Sequence, residues 1–413
     1  MECRHCGRCF SVPPLEEGLA VKCSRCGLLI THSRPFALNA AFAYICAASI
    51  CYGMTVFLPL IRLNLAGRNQ IASFVTGIKG LYIHNMWALA ALVALTIVVA
   101  PAVYILVRLV LLGTLHVGRV PSWLPHLYRR SDWIGKWAMI EVYTLGLLIA
   151  YVKLSDIATV EIGPAAIALG ALMLTTIAAD SLLDREAIWQ RFEPGDCYLL
   201  KCKPDTERLT LACEACGFVF GSTSGGDEKC LRCGAGVHHR KPGSLTRTWA
   251  LLIAAAILYV PANLCPIMTL VSSGQTQTDT ILSGVVNLVD EGMWPLAALV
   301  FFASVLVPLL KMVGLGVLLV TTQLGMITHL SIRTRLYKVI DFVGRWSMID
   351  IFMLSILVGL VQLGEIATIE PGSGAIAFAT VVILTVIAAE SFDPRLMWDA
   401  LDQNTRKKFS DAI

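Results

Sequence analysis

The stretch VGRWSMIDIFMLSILVGLV, residues 343 to 361, is apolar enough to enter a lipid bilayer, yet it carries an acid at Asp350. Its counterpart lies in the first half of the chain, where IGKWAMIEVY runs from Ile134 to Tyr143 with Glu141 in the place of Asp350. Further matches keep the same order: DIATVE from Asp156 pairs with EIATIE from Glu365, and IAADS from Ile177 with IAAES from Ile387. Upstream, Gly77, Leu81 and Met86-Trp87 stand against Gly284, Leu288 and Met293-Trp294. The chain is therefore a tandem duplication. Four spans per copy return the chain to its starting side, so the two repeats are parallel.

Composition gives the solvent of these repeats. Of 413 residues 56% are hydrophobic and 15% charged, with a mean hydropathy of +0.70, which is membrane-protein composition. A span needs roughly 20 apolar residues, and eight stretches qualify: 36 to 61, 86 to 112, 137 to 155, 164 to 183, 249 to 272, 293 to 320, 346 to 363 and 375 to 391. With termini and even-numbered loops on one side, that side holds 27 of the 33 Lys and Arg residues. The positive-inside rule then predicts a multi-pass protein with both termini cytoplasmic. Trp87 and Trp294 open spans at the outer face, and Trp137, Trp249 and Trp346 sit near the inner one. Topology absorbs the basic residues, so the net charge of +4 calls for no nucleic-acid partner. No cleavable signal precedes Cys3, which leaves targeting to the first span.

Each half opens with paired Cys-x-x-Cys-Gly motifs. CRHCG and CSRCG place Cys3, Cys6, Cys23 and Cys26; CEACG and CLRCG place Cys213, Cys216, Cys230 and Cys233. This is zinc-ribbon spacing, in which two intervening residues let both thiolates reach one ion and the glycine turns the backbone beneath it. Four soft ligands favour tetrahedral zinc over iron, and a closed site with no room for water makes the two metals structural. All eight cysteines fall on the reducing side, against disulfides. Cys9 is a surplus thiol that could replace a neighbour as ligand, and Cys46, Cys51 and Cys265 read as small buried apolar residues.

Ionisable residues inside spans are costly and face a bundle interior or a water path. In the second half Lys311 and Asp350 are placed at a similar shallow depth from the cytoplasmic face, with Ser304 two turns before Lys311 and Ser347 three residues before Asp350. Pro308 frees a carbonyl between Ser304 and Lys311. Repeat register puts Tyr104, Ile97 and Ala138 where Lys311, Ser304 and Ser347 stand, so the cluster belongs mainly to the second half. The expected polar network is Ser304, Lys311, Ser347, Asp350, Glu141 and Glu390, with Asp350 or Glu390 as the partner of Lys311 and Asp180 as a further acid at similar depth. The plainer reading is a structural ion pair, with Lys311 reaching for the surface as Arg108 and Lys153 would.

No G-x-x-x-x-G-K-[ST] motif is present, so no nucleotide drives this chain, and no Ser, His and acid set has catalytic spacing around His84, His116, His126, His238 or His239. The expected fold is an all-α polytopic membrane protein of two tandem four-helix units, each preceded by a zinc-ribbon module. Its divisions are 1–34 for the first module, 35–184 for the first unit, 185–244 for linker and second module, and 245–413 for the second unit with a short tail.

Paired cysteine modules leading into four spans with GKWAMIEVY or GRWSMIDIF signatures resemble the paraquat-inducible protein A family of Gram-negative inner membranes, over essentially the whole chain. The resemblance implies tetraspanin-like membrane units, zinc on cytoplasmic modules, and a periplasmic MCE-domain partner that forms a tunnel through which lipid moves between membranes. It also places a polar centre on Ser304, Lys311, Ser347 and Asp350. The expected function is that of a non-enzymatic inner-membrane component which loads or unloads phospholipid at the MCE tunnel, with the Asp350 and Lys311 charges coupling the step to protons. A membrane thiol oxidoreductase using the Cys-x-x-Cys pairs, or a passive anchor for the MCE protein, are the alternatives.

Overall fold

The computed structural model describes residues 3, 5–8, 18–32, 37–65, 68–118, 120–155, 159–192, 209–222, 228–230, 232–238, 240–272, 275–290, 292–360 and 367–401. Among these residues eight helices are long and apolar enough to cross a membrane. In order they are Leu38–Phe57, Trp87–His116, Leu124–Val152, Pro164–Ser181, Ser244–Leu264, Ala297–Gln323, Leu330–Leu360 and Ser373–Leu401. The mostly helical, duplicated architecture expected from the sequence is what the chain adopts.

Strands limit two of the expected spans. The first ends at Phe57 and the fifth at Leu264, because Pro59–Leu65 and Met268–Ser272 are strands. PLIRLNL alternates Ile61, Leu63 and Leu65 with Arg62 and Asn64, which is the strand period. Pro59–Leu65 is the centre of an antiparallel sheet between Arg68–Ser73 and Thr159–Ile162; Met268–Ser272 likewise lies between Gln275–Asp279 and Ala367–Pro371. Each unit thus carries one three-stranded sheet at the end opposite its termini.

The GKWAM and GRWSM signatures are helix interruptions. An amphipathic helix, Leu124–Trp137, stops at Ala138 before Ile140–Ser155 begins; Leu330–Gly344 passes through a 3₁₀ turn at Arg345–Met348 into Ile349–Leu360. Glu141 and Asp350 each fall in the first turn after the interruption, where free N–H groups and the helix dipole favour negative charge. A second device recurs in both copies. Spans two and six widen into π turns at Ala94–Val99 and Phe302–Leu306, just before Pro101 and Pro308. Neither proline has an N–H to return to the preceding turn.

The two units share one core. Span three meets span seven through the edge-on rings of Tyr143 and Phe352, 5.8 Å apart, and through Gly146, whose absent Cβ would stand 3.3 Å from the Phe352 Cβ. The short helix Thr76–Ile83 of the first unit lies across span seven of the second. That crossing is so close that a Cβ on Gly77 would sit 2.5 Å from the Ser355 carbonyl oxygen, and one on Gly359 2.6 Å from the Gly77 Cα. Gly77→Ala is accordingly expected to cost about 1–3 kcal/mol through overpacking. Thermal unfolding in detergent should show the loss. Gly284→Ala, at the matching position where a Cβ meets nothing within 4 Å, should leave the midpoint unchanged.

Candidate functional site

Each cysteine module is a pair of knuckles held by backbone hydrogen bonds such as Gly7 N–H to Cys3 O at 2.9 Å and Gly217 N–H to Cys213 O at 2.8 Å. Gly7, Gly27, Gly217 and Gly234 have φ between 66° and 74°, the left-handed turn that glycine adopts without strain. All sulfurs of a quartet lie within 4.8 Å of one another. Cys3 and Cys26 are 3.7 Å apart, and Cys6–Cys23, Cys213–Cys233 and Cys216–Cys230 are each 3.5 Å apart. Those separations are far beyond a disulfide bond and close to the roughly 3.8 Å edge of a tetrahedron with metal–sulfur bonds near 2.3 Å. Both quartets fit a metal ion. The crowding splits the thiols: the Cys6 side-chain hydrogen bond pulls Cys3 down to about 4, while burial pushes Cys26 up to about 12. Cys9 lies outside the described residues.

The modules sit on the units in crossed fashion. Cys3, Cys6, Cys23 and Cys26 pack with Leu252, Leu315, Tyr337 and Trp398 of the second unit, and the Arg25 guanidinium lies 4.8 Å from the centre of the Trp398 ring. Cys213, Cys216, Cys230 and Cys233 pack with Leu112, Tyr128 and Trp189 of the first unit. Arg129 donates to Cys233 O at 3.2 Å, Arg185 to Ala215 O at 2.5 Å, and Arg232 to Trp189 O at 3.1 Å. The second module also reaches the end of the second unit, where Arg395 pairs with Glu214 and Arg240 with Asp399.

Within the membrane units the expected polar cluster separates into two stations. Asp350 and Ser304 line a cavity of about 60 Å3 with Ile149, Ile281, Gly284 and Leu288, several times the roughly 10–15 Å3 that one water occupies. Asp279 and Thr280 also line it, so Asp350 faces the sheet end of the molecule and not the cysteine end. The Asp350 Oδ2 atom is buried without a hydrogen bond. The Ser304 hydroxyl donates to Val300 O at 2.7 Å, inside the π turn.

Lys311 forms the second station. It is 3% exposed, and its amine donates to the Thr385 hydroxyl at 3.0 Å. A Cβ on Gly344 would approach its Nζ at 3.3 Å, which sets Lys311 level with Gly344, a turn and a half before Asp350. The expected shared level of Lys311 and Asp350 is therefore corrected. Among the described residues no ion pair within 4.0 Å joins Lys311 to Asp350 or to Glu390. The cause is that span seven begins at Leu330 and runs on through the 3₁₀ turn at Arg345–Met348, which carries Asp350 deeper than a span starting at Trp346 would.

The remaining expected residues fall elsewhere. Ser347 is buried with an unbonded hydroxyl. Glu141 is exposed, and Glu390 pairs with Lys136 of the first unit at 3.0 Å, beside Lys241. Thr385 had no part in the expectation; its only signal is a hydroxyl in the apolar run VVILTVIAA.

The first unit is not poor in charge. Arg108, expected to reach for the surface, is 8% exposed and lies 3.7 Å from both Asp132 and Asp180. The Tyr104 hydroxyl donates to the Asp180 carboxylate at 2.7 Å, Arg185 shares Asp132 at 2.7 Å, and the rings of Tyr104 and Tyr128 flank the guanidinium. Tyr104 and Arg108 are one helical turn apart, a spacing that places them on one face.

Fold and site together define a class: a multi-pass membrane protein built from two four-span repeats that share a core, with a metal-ready four-cysteine module seated on each. The chain belongs to the paraquat-inducible protein A family, whose profile matches residues 38–193 and 245–402. It is 31% identical over 399 residues to "Intermembrane transport protein PqiA" of Escherichia coli strain K12, covering 96% of this chain and 95% of the relative. "Lipophilic envelope-spanning tunnel protein A" of the same strain is 30% identical over 405 residues, 96% of this chain and 91% of that one. "Probable intermembrane transport protein" of Haemophilus influenzae is 30% identical over 417 residues, 98% and 96%. No solved structure matches the chain.

Proposed function

We propose that this protein is the inner-membrane component of a lipid transport system, passing phospholipid to or from a periplasmic MCE-domain tunnel. The observation that carries the reading is the Asp350 cavity: an apolar chamber between two membrane units with an acid in its wall, in a family whose relatives bear intermembrane transport names. Apolar walls suit an alkyl chain, and a buried acid suits a step that changes charge. Asp350 and Lys311 act as two separate protonatable stations, with Ser304 and Thr385 as their hydroxyl neighbours. Both termini and both cysteine modules face the cytoplasm, where Lys and Arg concentrate. The chemistry is transport without catalysis, and the divisions at 34, 184 and 244 mark the functional parts.

Zinc is the metal proposed for both quartets, held by Cys3, Cys6, Cys23 and Cys26 and by Cys213, Cys216, Cys230 and Cys233. When bound it supplies cross-linking of the module and no reaction. Elemental analysis of purified protein should give about two zinc ions per chain, and Cys216→Ser about one, with faster proteolysis of the first unit on which that module rests. A quartet holding metal has no thiol free to cycle, which separates this reading from an oxidoreductase.

A photoreactive amino acid in place of Met353, another wall residue, tests the lipid reading directly. Irradiation in proteoliposomes containing radiolabelled phospholipid should yield a lipid adduct. Labelling no stronger than at lipid-remote Tyr128 would sink the proposal.

A further inference from the structure

The two repeats differ in the position of one helix. Thr76–Ile83 and Ile281–Asp290 are equivalent by register, since Gly77 matches Gly284 and Gly80 matches Asn287. The surfaces they could cover correspond in part: aligned on VGRWSMIDIF and IGKWAMIEVY, Ser355 and Val358 of span seven match Gly146 and Ile149 of span three, of which Gly146 is covered by span seven and Ile149 faces the cavity. In the first copy the helix is closed. A Cβ on Gly77 would meet Ser355 at 2.5 Å, and one on Gly80 would meet the Val358 side chain at 3.3 Å.

In the second copy the corresponding contact is open. A Cβ on Gly284 meets nothing within 4 Å. The helix Ile281–Asp290 leans chiefly on its neighbours Trp294–Phe301 and Gln275–Asp279. Between it and Ile149 lies the cavity that Asp350 lines, bounded by Ile281, Gly284 and Leu288 on the helix side. The cavity is thus the gap left by a contact that the other repeat makes.

We propose that Ile281–Asp290 is a lid, which swings onto span three at Ile149 as Thr76–Ile83 lies on span seven at Val358, and so closes the Asp350 cavity.

Both ends of the helix suit the movement. At its start Asp279, fixed in the sheet by the Ile267 N–H to its carbonyl at 2.9 Å, forms the pivot, its carboxylate accepting from Ser283 Oγ at 3.4 Å and Asn287 Nδ2 at 3.2 Å, while the Ser283 hydroxyl receives the Thr280 N–H at 2.8 Å. At its end the chain turns through Gly292 at φ +79°, where the closed helix has Asn85 at φ +59°. Glycine leaves that conformation at little cost, so the open copy has the looser joint. Gly284 also offers the smooth backbone that a crossing as close as that of Gly77 needs. Closure is a property of the helix and stands whether the cavity encloses lipid or water.

The test uses the full chain in proteoliposomes, with Cys9, Cys46, Cys51, Cys197, Cys202 and Cys265 replaced by Ala, and the pair Asn287→Cys with Ile149→Cys, matched to Gly80 and Val358 of the closed copy. Oxidation is followed by peptide mass spectrometry, alongside a long bismaleimide that spans the open gap. A lid yields both products, with the disulfide in most chains, because the bridge needs Cβ atoms within about 4.5 Å. If the bismaleimide links the two sites but the disulfide forms in fewer than about one chain in twenty, the helix does not close and the proposal fails. Should that pair not accumulate, Gly284→Cys with Ile149→Cys, one helical turn away on the same face, decides, with a short bismaleimide in place of oxidation. Neither readout measures transport, so a lid on a chain that moves no lipid is still recognised.

Discussion

Asp350→Asn is expected to lower lipid transfer at least tenfold while the protein accumulates normally and unfolds at the same temperature or higher. The replacement keeps the shape of the side chain and removes its ability to carry charge. The Asp350 Oδ2 atom has no protein hydrogen-bond partner, so a carboxylate there is only partly compensated and adds little to cohesion. Loss of transfer with stability retained is the signature of a working group. Asp350→Glu, which keeps the acid, should restore part of the rate. Transfer from labelled proteoliposomes and thermal unfolding of the same preparations give the two numbers. Undiminished transfer by the Asn variant would make the acid dispensable and return the protein to the role of an anchor.

For Arg108→Met the expectation is reversed, with a destabilisation of roughly 3–5 kcal/mol, the cost of breaking a buried pair on one side. Arg108 stands between two carboxylates and two tyrosine rings, and its removal leaves Asp132 and Asp180 facing one another without the cation. Of the two acids Asp180 is the more exposed, at 46%, so water relieves it in part and the low end of that range is the safer figure. Adding Asp180→Asn to Arg108→Met should recover part of the loss, a coupling that a double-mutant cycle in denaturant reads. The same variant should surrender metal from the second quartet to a chelator faster. Asp132 also positions Arg185, which holds the backbone of that module at Ala215.

The sequence revealed the duplication, the eight spans and both quartets because each rests on a local pattern: a repeat in register, a run of apolar residues, two residues between cysteines. It placed Asp350 and Lys311 too close together because depth was counted from Trp346, and the interruption at Arg345–Met348 is a tertiary feature with no apolar period to announce it. Arg108 was misread for a related reason. A lone arginine near a span end ordinarily reaches for headgroups, and its partners Asp132 and Asp180 come from two other helices whose rotation the linear pattern does not set. The sheets were missed because strands such as Met268–Ser272 fall within the apolar stretch 249 to 272, although Pro266 marks the break before the strand.

The crossed seating of the cysteine modules sets an order of assembly. Residues 3 to 26 leave the ribosome well before the surface that receives them, which is built from residues between Leu252 and Trp398. The first module must therefore wait undocked until the second unit has been made. A transcript cut after the first unit would leave that module with nowhere to land, and quality control would have a plain mark by which to recognise an unfinished molecule.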